Sequence, residues 1–135
     1  MKAGIIGAGR IGKVHAKNIT YFVPELEIKT VADPFMNPET EALLHGFGIQ
    51  NTTKDAAEII NDPEIEAVLI CSSTDTHADF IMQAAKAGKH IFCEKPIDYD
   101  IDRVRQAIQA AQDAGVKLQI GFCRRFDHNH RAVYD

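Results

Sequence analysis

The chain has 135 residues, 45% hydrophobic and 25% charged, enough for one domain with a sizeable single core. A formal net charge of −4, with no basic patch or stripe, argues against nucleic acid as the main partner. No apolar run approaches the roughly 20 residues of a membrane helix. The amino terminus enters an apolar strand without a signal-peptide pattern, so a cytoplasmic protein away from membranes is expected.

Lys2-Ala3-Gly4-Ile5-Ile6 reads as the first strand and leads into Gly7-Ala8-Gly9-Arg10-Ile11-Gly12, followed by a helical stretch from Ile11 to Phe22. Strand, glycine turn and helix form the setting in which G-x-G-x-x-G signals a dinucleotide. Gly7 allows the sharp turn, Gly9 a close approach of the pyrophosphate, and Gly12 tight packing of helix on sheet. The helix start then offers free N–H groups and a partial positive charge to phosphate. The second strand, Leu26 to Ala32, ends on Asp33, 21 residues after Gly12. A carboxylate at that distance accepts from a ribose 2′-hydroxyl and repels a 2′-phosphate, which selects NAD over NADP. Arg10 is the one nearby cation opposing that preference. The alternative for Asp33 is a strand-end carboxylate capping a turn.

Pro38 to Leu44 reads as a helix stopped by Gly46 and Gly48, and Gly48-Ile49-Gln50 as a brief third strand. Thr53 is a candidate cap for a short helix, Lys54 to Asn61, with Ala57, Ile59 and Ile60 toward the sheet. Glu66 to Cys71 is a nearly unbroken apolar strand, as a parallel sheet covered on both faces requires. A helix from His77 to Ala87, a strand His90 to Cys93, a helix Asp100 to Ala114 and a strand Val116 to Ile120 complete the series. In the Asp100–Ala114 helix, Ile101, Val104, Ile108 and Ala111 share one side. The alternation predicts an α/β fold: a Rossmann-type doubly wound parallel sheet in a three-layer αβα sandwich, with strand order 3-2-1-4-5-6. Cys71, Cys93 and Cys123 lie far apart without a C-x-x-C pair, so buried, reduced thiols and no metal site are expected.

Ligands in such a sheet bind beyond the carboxyl ends of the strands. The fourth strand ends in Ser72-Ser73-Thr74-Asp75-Thr76-His77, the fifth in Glu94-Lys95-Pro96 and the sixth in Gly121-Phe122-Cys123-Arg124-Arg125-Phe126-Asp127. The fourth-strand hydroxyls either hold ribose and nicotinamide-side groups or, as Thr74 or Thr76, cap a helix. Lys95 is either a donor to a substrate hydroxyl at the cleft mouth, restricted by the proline after it, or a surface lysine paired with Glu94.

Taken in order, Gly7-Ala8-Gly9-Arg10-Ile11-Gly12 with His15, Ala32-Asp33-Pro34, Thr74-x-x-His77, Glu94-Lys95-Pro96 and Gly121-Phe122-x-Arg124-Arg125-Phe126-Asp127 closely resemble one family. It is the glucose–fructose oxidoreductase / inositol dehydrogenase (Gfo/Idh/MocA-type) family, its inositol-dehydrogenase branch most of all. The resemblance spans essentially the whole chain, but only the first third or so of a typical member. It implies that residues 1–122 form an NAD-binding domain and 123–135 begin a connection to a substrate and oligomerisation domain. Gly7, Gly9, Arg10, Ile11, Gly12 and Asp33 would hold the adenosine diphosphate half of NAD. Ser72, Ser73, Thr74, His77, Glu94 and Lys95 would line the nicotinamide side. Lys95 would also be the catalytic contact to the reacting hydroxyl, and Arg124, Arg125 and Asp127 would shape a pocket for a polyol or sugar. His15 would be a packed helix histidine. The implied activity is hydride transfer from a secondary alcohol of a cyclic polyol to NAD, in a homo-oligomer for the full-length form. The family's Asp and His pair, with the His as general base, belongs to the second domain and has no counterpart here, so the short chain is expected to bind cofactor without turning over. Alternatives are a dehydrogenase of another sugar or cyclitol and a non-catalytic NAD-sensing module.

Overall fold

The computed structural model describes residues 1–134. Six strands form one wholly parallel sheet: β1 (Lys2–Ile6), β2 (Glu27–Ala32), β3 (Asn51–Thr53), β4 (Ala67–Ile70), β5 (His90–Glu94) and β6 (Leu118–Gly121). Their order is β3-β2-β1-β4-β5-β6, as the alternation of strands and helices predicts. The helices are α1 (Arg10–Phe22), α2 (Pro38–Gly46), α3 (Ala57–Ile60), α4 (Thr74–Lys86), α5 (Ile101–Asp113) and α6 (His128–Tyr134), with a 3-10 turn at Cys123–Phe126.

Two apolar layers, one on each face of the sheet, follow from side-chain alternation along the strands. Ala3, Ile5, Leu69 and Cys71 face Ala16, Ile19 and Leu44 of α1 and α2. Ile6, Val68, Ile70, Ile91 and Cys93 face Ile59, Ala78, Ile81 and Ala107 of α3, α4 and α5. Ile28 and Val31 break the period of two, both belonging to the first layer. The register explains them: Ala3 pairs with Ile28 but Gly4 with Thr30, so β2 carries one extra residue and its later side chains change face. Over Gly4 a Cβ would lie 2.4 Å from Cγ2 of Ile59, which is where α3 presses on the sheet.

Helix starts agree with their local chemistry. Asn37 Oδ1 accepts from the Thr40 amide ahead of Pro38, and Asp100 Oδ1 accepts from the Asp102 amide.

Several sequence expectations need correction. The third strand is Asn51–Thr53, not 48–50, because the turn after α2 runs through Ile49, which is buried as a plug rather than paired. Thr53 is therefore a strand residue, although its hydroxyl still accepts from the Asp55 amide and donates to Glu58. The helix after it is a single turn in which Ile59 and Ile60 are buried and Ala57 is exposed. On α5 the buried stripe is Ala107 and Ala111, while Ile101 is 61% exposed and Ile108 lies on the solvent flank. α5 packs against α4, whose own facing residues include Ala78, Ala84 and Ala85, and small side chains allow that close approach where isoleucine would not. Cys71 and Cys93 are buried free thiols as expected, but Cys123 is exposed on the 3-10 turn. Residues 122–133 are all exposed.

At the sheet's amino-terminal edge the chain is tied by cations. Lys29 Nζ donates to Asp62 at 2.6 Å and also to Glu64, and the buried Lys89 ammonium donates to the carbonyls of Asp62 and Ile65 at 2.7 Å each. The Lys29 hydrogen bonds hold the Asp62 and Glu64 carboxyls below their ordinary values of 3.8 and 4.5. Lowered carboxyl values mean stability that is present above the ordinary range and is lost as pH falls through the lowered values. Asp62→Asn is accordingly expected to melt lower than the unaltered chain at pH 7. The two melting temperatures should converge as thermal unfolding is followed into acid, because the Asp62 contribution is lost as pH falls through its lowered value.

Candidate functional site

The glycine turn is set by packing against the segment after β4. Gly7 has φ of 101°, in the left-handed region, and a Cβ there would lie 2.5 Å from the Ser72 amide nitrogen and 2.6 Å from the Cys71 carbonyl. Gly12 is buried in α1, and a Cβ on it would meet the Gly7 carbonyl oxygen at 2.0 Å. Gly9 differs: nothing lies within 4 Å of where its Cβ would be. It is the N-cap of α1, no side chain caps that helix, and its first turn holds no acidic residue. Of the three, Gly9 alone looks onto open space, with uncapped helix N–H groups beside it, which is the arrangement a phosphate pair fits.

Asp33 follows β2 and reaches back over the turn. Its Oδ2 accepts from the Ala8 amide at 2.7 Å and its Oδ1 from the Phe35 amide at 2.8 Å. The capping role is therefore real. Each carboxylate oxygen retains a further lone pair, so a ribose diol can be bound without dismantling the cap. A cavity of about 730 Å³ opens above these groups and is lined by Gly7, Gly9, Arg10, Ile11, Asp33, Ser72 and Ser73 of the expected cofactor residues.

Thr76, one of the fourth-strand hydroxyls, lines the same cavity, together with residues the sequence did not mark as site residues: Phe35, 85% exposed at the rim, Lys54, Asp55 and Ala56 after β3, and Phe80 and Gln83 on α4. Lys54 is a second cation beside Asp33, where only Arg10 had been expected. Placing the third strand at 51–53 would have marked Lys54 and Asp55 as strand-end residues and so as candidates.

Beyond β4 the polar run divides its work. α4 begins at Thr74, a turn earlier than expected, with Ser73 as N-cap but without a side-chain cap bond. Neither threonine acts as the cap. The Thr76 hydroxyl donates to the Ser73 carbonyl and also pairs with the Ser72 hydroxyl at 2.7 Å, and Thr74 stands outside the cavity. His77 was expected against the nicotinamide side, but it is 1% exposed and lies behind the loop. Its Nδ1 is 2.7 Å from the Pro96 carbonyl oxygen and its Nε2 is 2.9 Å from that of Ser72, which leaves no free nitrogen for a ligand.

At the end of β5 the Glu94 carboxylate meets Nε2 of His15 at 2.7 Å, and the His15 ring stands edge-on to Phe92. His15 is thus packed as expected, and its partner is a site residue. Lys95 does not pair with Glu94; it is exposed and makes no hydrogen bond or ion pair among the described residues. The Lys95–Pro96 peptide bond is cis. Arg124, Arg125 and Asp127 do not line the cavity. Arg124 contacts the His130 ring, and Asp127 accepts from the Asn129 and His130 amides at the start of α6. Those contacts with His130 hold the Asp127 carboxyl below its ordinary value. Burial, reinforced by Glu94, pushes the Cys71 and Cys93 thiols up to about 12, so neither supplies a thiolate to the site at neutral pH. No group of three or more potential metal-ligating residues occurs among the described residues.

Comparison with known proteins places this geometry. The family model described as an oxidoreductase family with an NAD-binding Rossmann fold matches residues 1–122. Inositol 2-dehydrogenase of Rhizobium meliloti is 47% identical over 98% of the chain and 39% of that protein. The scyllo-inositol 2-dehydrogenase (NAD(+)) of Bacillus subtilis is 38% identical over 94% of the chain and 37% of its own length. Among solved structures, scyllo-inositol dehydrogenase from Lactobacillus casei with bound NAD(H) and scyllo-inositol superposes with a TM-score of 0.88 at 35% identity, over 98% of this chain and 39% of that one. The chain thus spans about two fifths of the length of the curated relatives it matches.

The three glycines separate packing from binding. Gly9→Ala is expected to fold with a loss of about 1 kcal/mol or less, the N-cap preference for glycine over alanine, while weakening NAD in a calorimetric titration. Gly12→Ala should lower the melting temperature markedly, since its Cβ has no room beside the Gly7 carbonyl.

Proposed function

The chain belongs to the oxidoreductase family with an NAD-binding Rossmann fold, and we propose that it is the cofactor domain of an NAD-dependent dehydrogenase acting on a ring alcohol of an inositol-type polyol. The observation that carries the proposal is the pairing of an open, uncapped helix start at Gly9 with a carboxylate at Asp33 across one cavity. The inositol specificity of relatives that align over almost the whole chain favours a cyclitol substrate.

The division of work follows the strand ends. Gly7, Gly9 and Gly12, with the amides of the first α1 turn at Arg10 and Ile11, take the pyrophosphate, and Asp33 takes the adenosine ribose. Ser72 and Ser73 face the nicotinamide half, with Thr74 outside the cavity on the first turn of α4, and Glu94, steadied by His15, faces the nicotinamide ribose. NAD, when bound, supplies the hydride acceptor. Lys95 has no partner to be displaced from, so its ammonium is free to donate to the substrate hydroxyl and orient its carbon toward the cofactor. Arg124, Arg125 and Asp127 contribute to a polyol pocket, and the Arg125 side chain alone of the three makes no hydrogen bond or ion pair among the described residues. Residues 1–122 form the cofactor unit and 123–135 the start of a connection.

A general base must lie within hydrogen-bonding reach of the hydroxyl proton. His128 and His130 sit on the exposed α6, and His130 is already engaged with Arg124 and Asp127. The 135-residue chain is therefore proposed to bind NAD without turnover. The working enzyme is proposed to be cytoplasmic and homo-oligomeric, with a general base that is none of the described residues.

NAD titration tests the proposal. Asp33→Ala removes a charge-assisted hydrogen bond of about 1.5–3 kcal/mol, so NAD should weaken by roughly one to two orders of magnitude. Lys95→Ala should leave the melting temperature of this chain essentially unchanged and its NAD affinity within about threefold. In the enzyme carrying its second domain it should abolish inositol oxidation. Full turnover without Lys95 would remove it from the mechanism, and wild-type affinity in Asp33→Ala would remove the assigned nucleotide pose.

A further inference from the structure

We infer that His77 is a positioning residue that couples the cofactor loop after β4 to the Lys95–Pro96 turn, so that the nicotinamide half of the site depends on it and the adenosine half does not. The inference rests on the NAD-binding reading of the cavity. His77 stands in the first turn of α4 with its ring wholly inside the protein. One ring nitrogen is 2.9 Å from the Ser72 carbonyl oxygen, five residues back, and the other is 2.7 Å from the Pro96 carbonyl oxygen, 19 residues on.

The pairing of β4 with β5 ends at Ile70 and Cys93. Past that point the two chains diverge into separate loops, and among the described residues no hydrogen bond links 71–73 with 95–97 except through this ring. Ser72 lines the cavity, while the Cys71–Ser72 peptide against which Gly7 is packed is tied to β1 independently of the ring, by the Cys71 amide donating to the Ile6 carbonyl. Pro96 follows the lysine that has no other anchor. A shift of either loop must therefore move the ring, and through it the other loop.

The side-chain type fits the task. Imidazole places nitrogens on opposite edges of one rigid plane, so it spans two carbonyls that a hydroxyl or a single amide nitrogen reaches less well. A neutral ring donates to one of them and a doubly protonated ring to both. Leucine would fill much of the volume but leave two interior carbonyls without that partner. A histidine serving the core alone would affect every part of the ligand equally, because the turn and both loops would loosen together.

The test compares two ligands on the same chain. ADP reaches the glycine turn and Asp33, whereas NAD also requires the loops that His77 joins. In His77→Gln and His77→Leu, ADP affinity should stay within about twofold of the unaltered chain while NAD weakens about tenfold. The glutamine variant should keep part of the difference because one amide can still donate. Equal weakening of ADP and NAD, or no change in either, would overturn the inference. If the unaltered chain bound neither ligand, the cofactor reading beneath it would fail instead, a result separate from the first. Should neither variant fold, ring-nitrogen NMR of the unaltered chain decides: NAD should shift the His77 signals well beyond any shift caused by ADP, and signals that respond equally to both would refute the coupling.

Discussion

The site depends on how tightly the first turn is pressed against the segment leaving β4. Gly7 has no space for a side chain because the Cys71 carbonyl and the Ser72 amide already occupy it, and Gly12 has none because the Gly7 carbonyl does. The Gly7 amide donates to the Ala32 carbonyl, the Cys71 amide to that of Ile6, and the Asp33 carboxylate to nothing, accepting instead from the Ala8 amide. Three strand ends are thereby locked at atomic contact. The void that remains lies above Gly9, the glycine with open space around it. The shape of the turn is thus set by close packing: it cannot move inward, and its open side is the one at Gly9.

This arrangement also explains why one carboxylate can serve structure and recognition together. Asp33 is half-buried, and each oxygen is held by one amide hydrogen, which fixes the plane of the carboxylate before any ligand arrives. Preorganised acceptors do not have to be reoriented on binding, so more of the hydrogen-bond energy is realised as affinity. The turn-capping and ribose-binding alternatives for Asp33, which compete when only the sequence is considered, are compatible in three dimensions.

Much of the fold was legible because its signals were local and redundant. Glycines at fixed offsets, apolar runs of strand length and helix starts such as Asn37-Pro38 each point to the same element boundaries. What escaped was set by contacts distant in sequence. The extra residue in β2 is visible only in its register with β1. The alanine stripe of α5 is chosen by the closeness of α4, so the larger Ile101 and Ile108, which carry the stronger hydrophobic signal, are turned outward. The displaced third strand had a functional cost, hiding Lys54 and Asp55 at a strand end. His77 and His15 show the same limit at the site. Their spacing announces that they matter, but a ring partner 19 residues away and a carboxylate 79 residues away cannot be read from a linear pattern.

The residues fall into two groups with different degrees of support. Of those assigned to the nucleotide, Gly7, Gly9, Arg10, Ile11, Asp33, Ser72 and Ser73 line one cavity, and Asp33 is fixed by two amide hydrogen bonds. Those assigned to the alcohol are exposed, and their side chains are either without a hydrogen-bond partner among the described residues, as in Lys95 and Arg125, or engaged with the terminal helix, as in Arg124 and Asp127. A free lysine on the surface is a poor catalyst, because an unrestrained ammonium spends its time in water and its orientation has to be imposed on each encounter. Its main chain, however, is not free. Lys95 follows directly on a strand whose last carboxylate is tied to α1 through His15, and it precedes a carbonyl tied to α4 through His77. The two histidines therefore hold the residues on either side of the lysine, Glu94 through its side chain and Pro96 through its carbonyl, and leave the Lys95 side chain as the freer part of the segment.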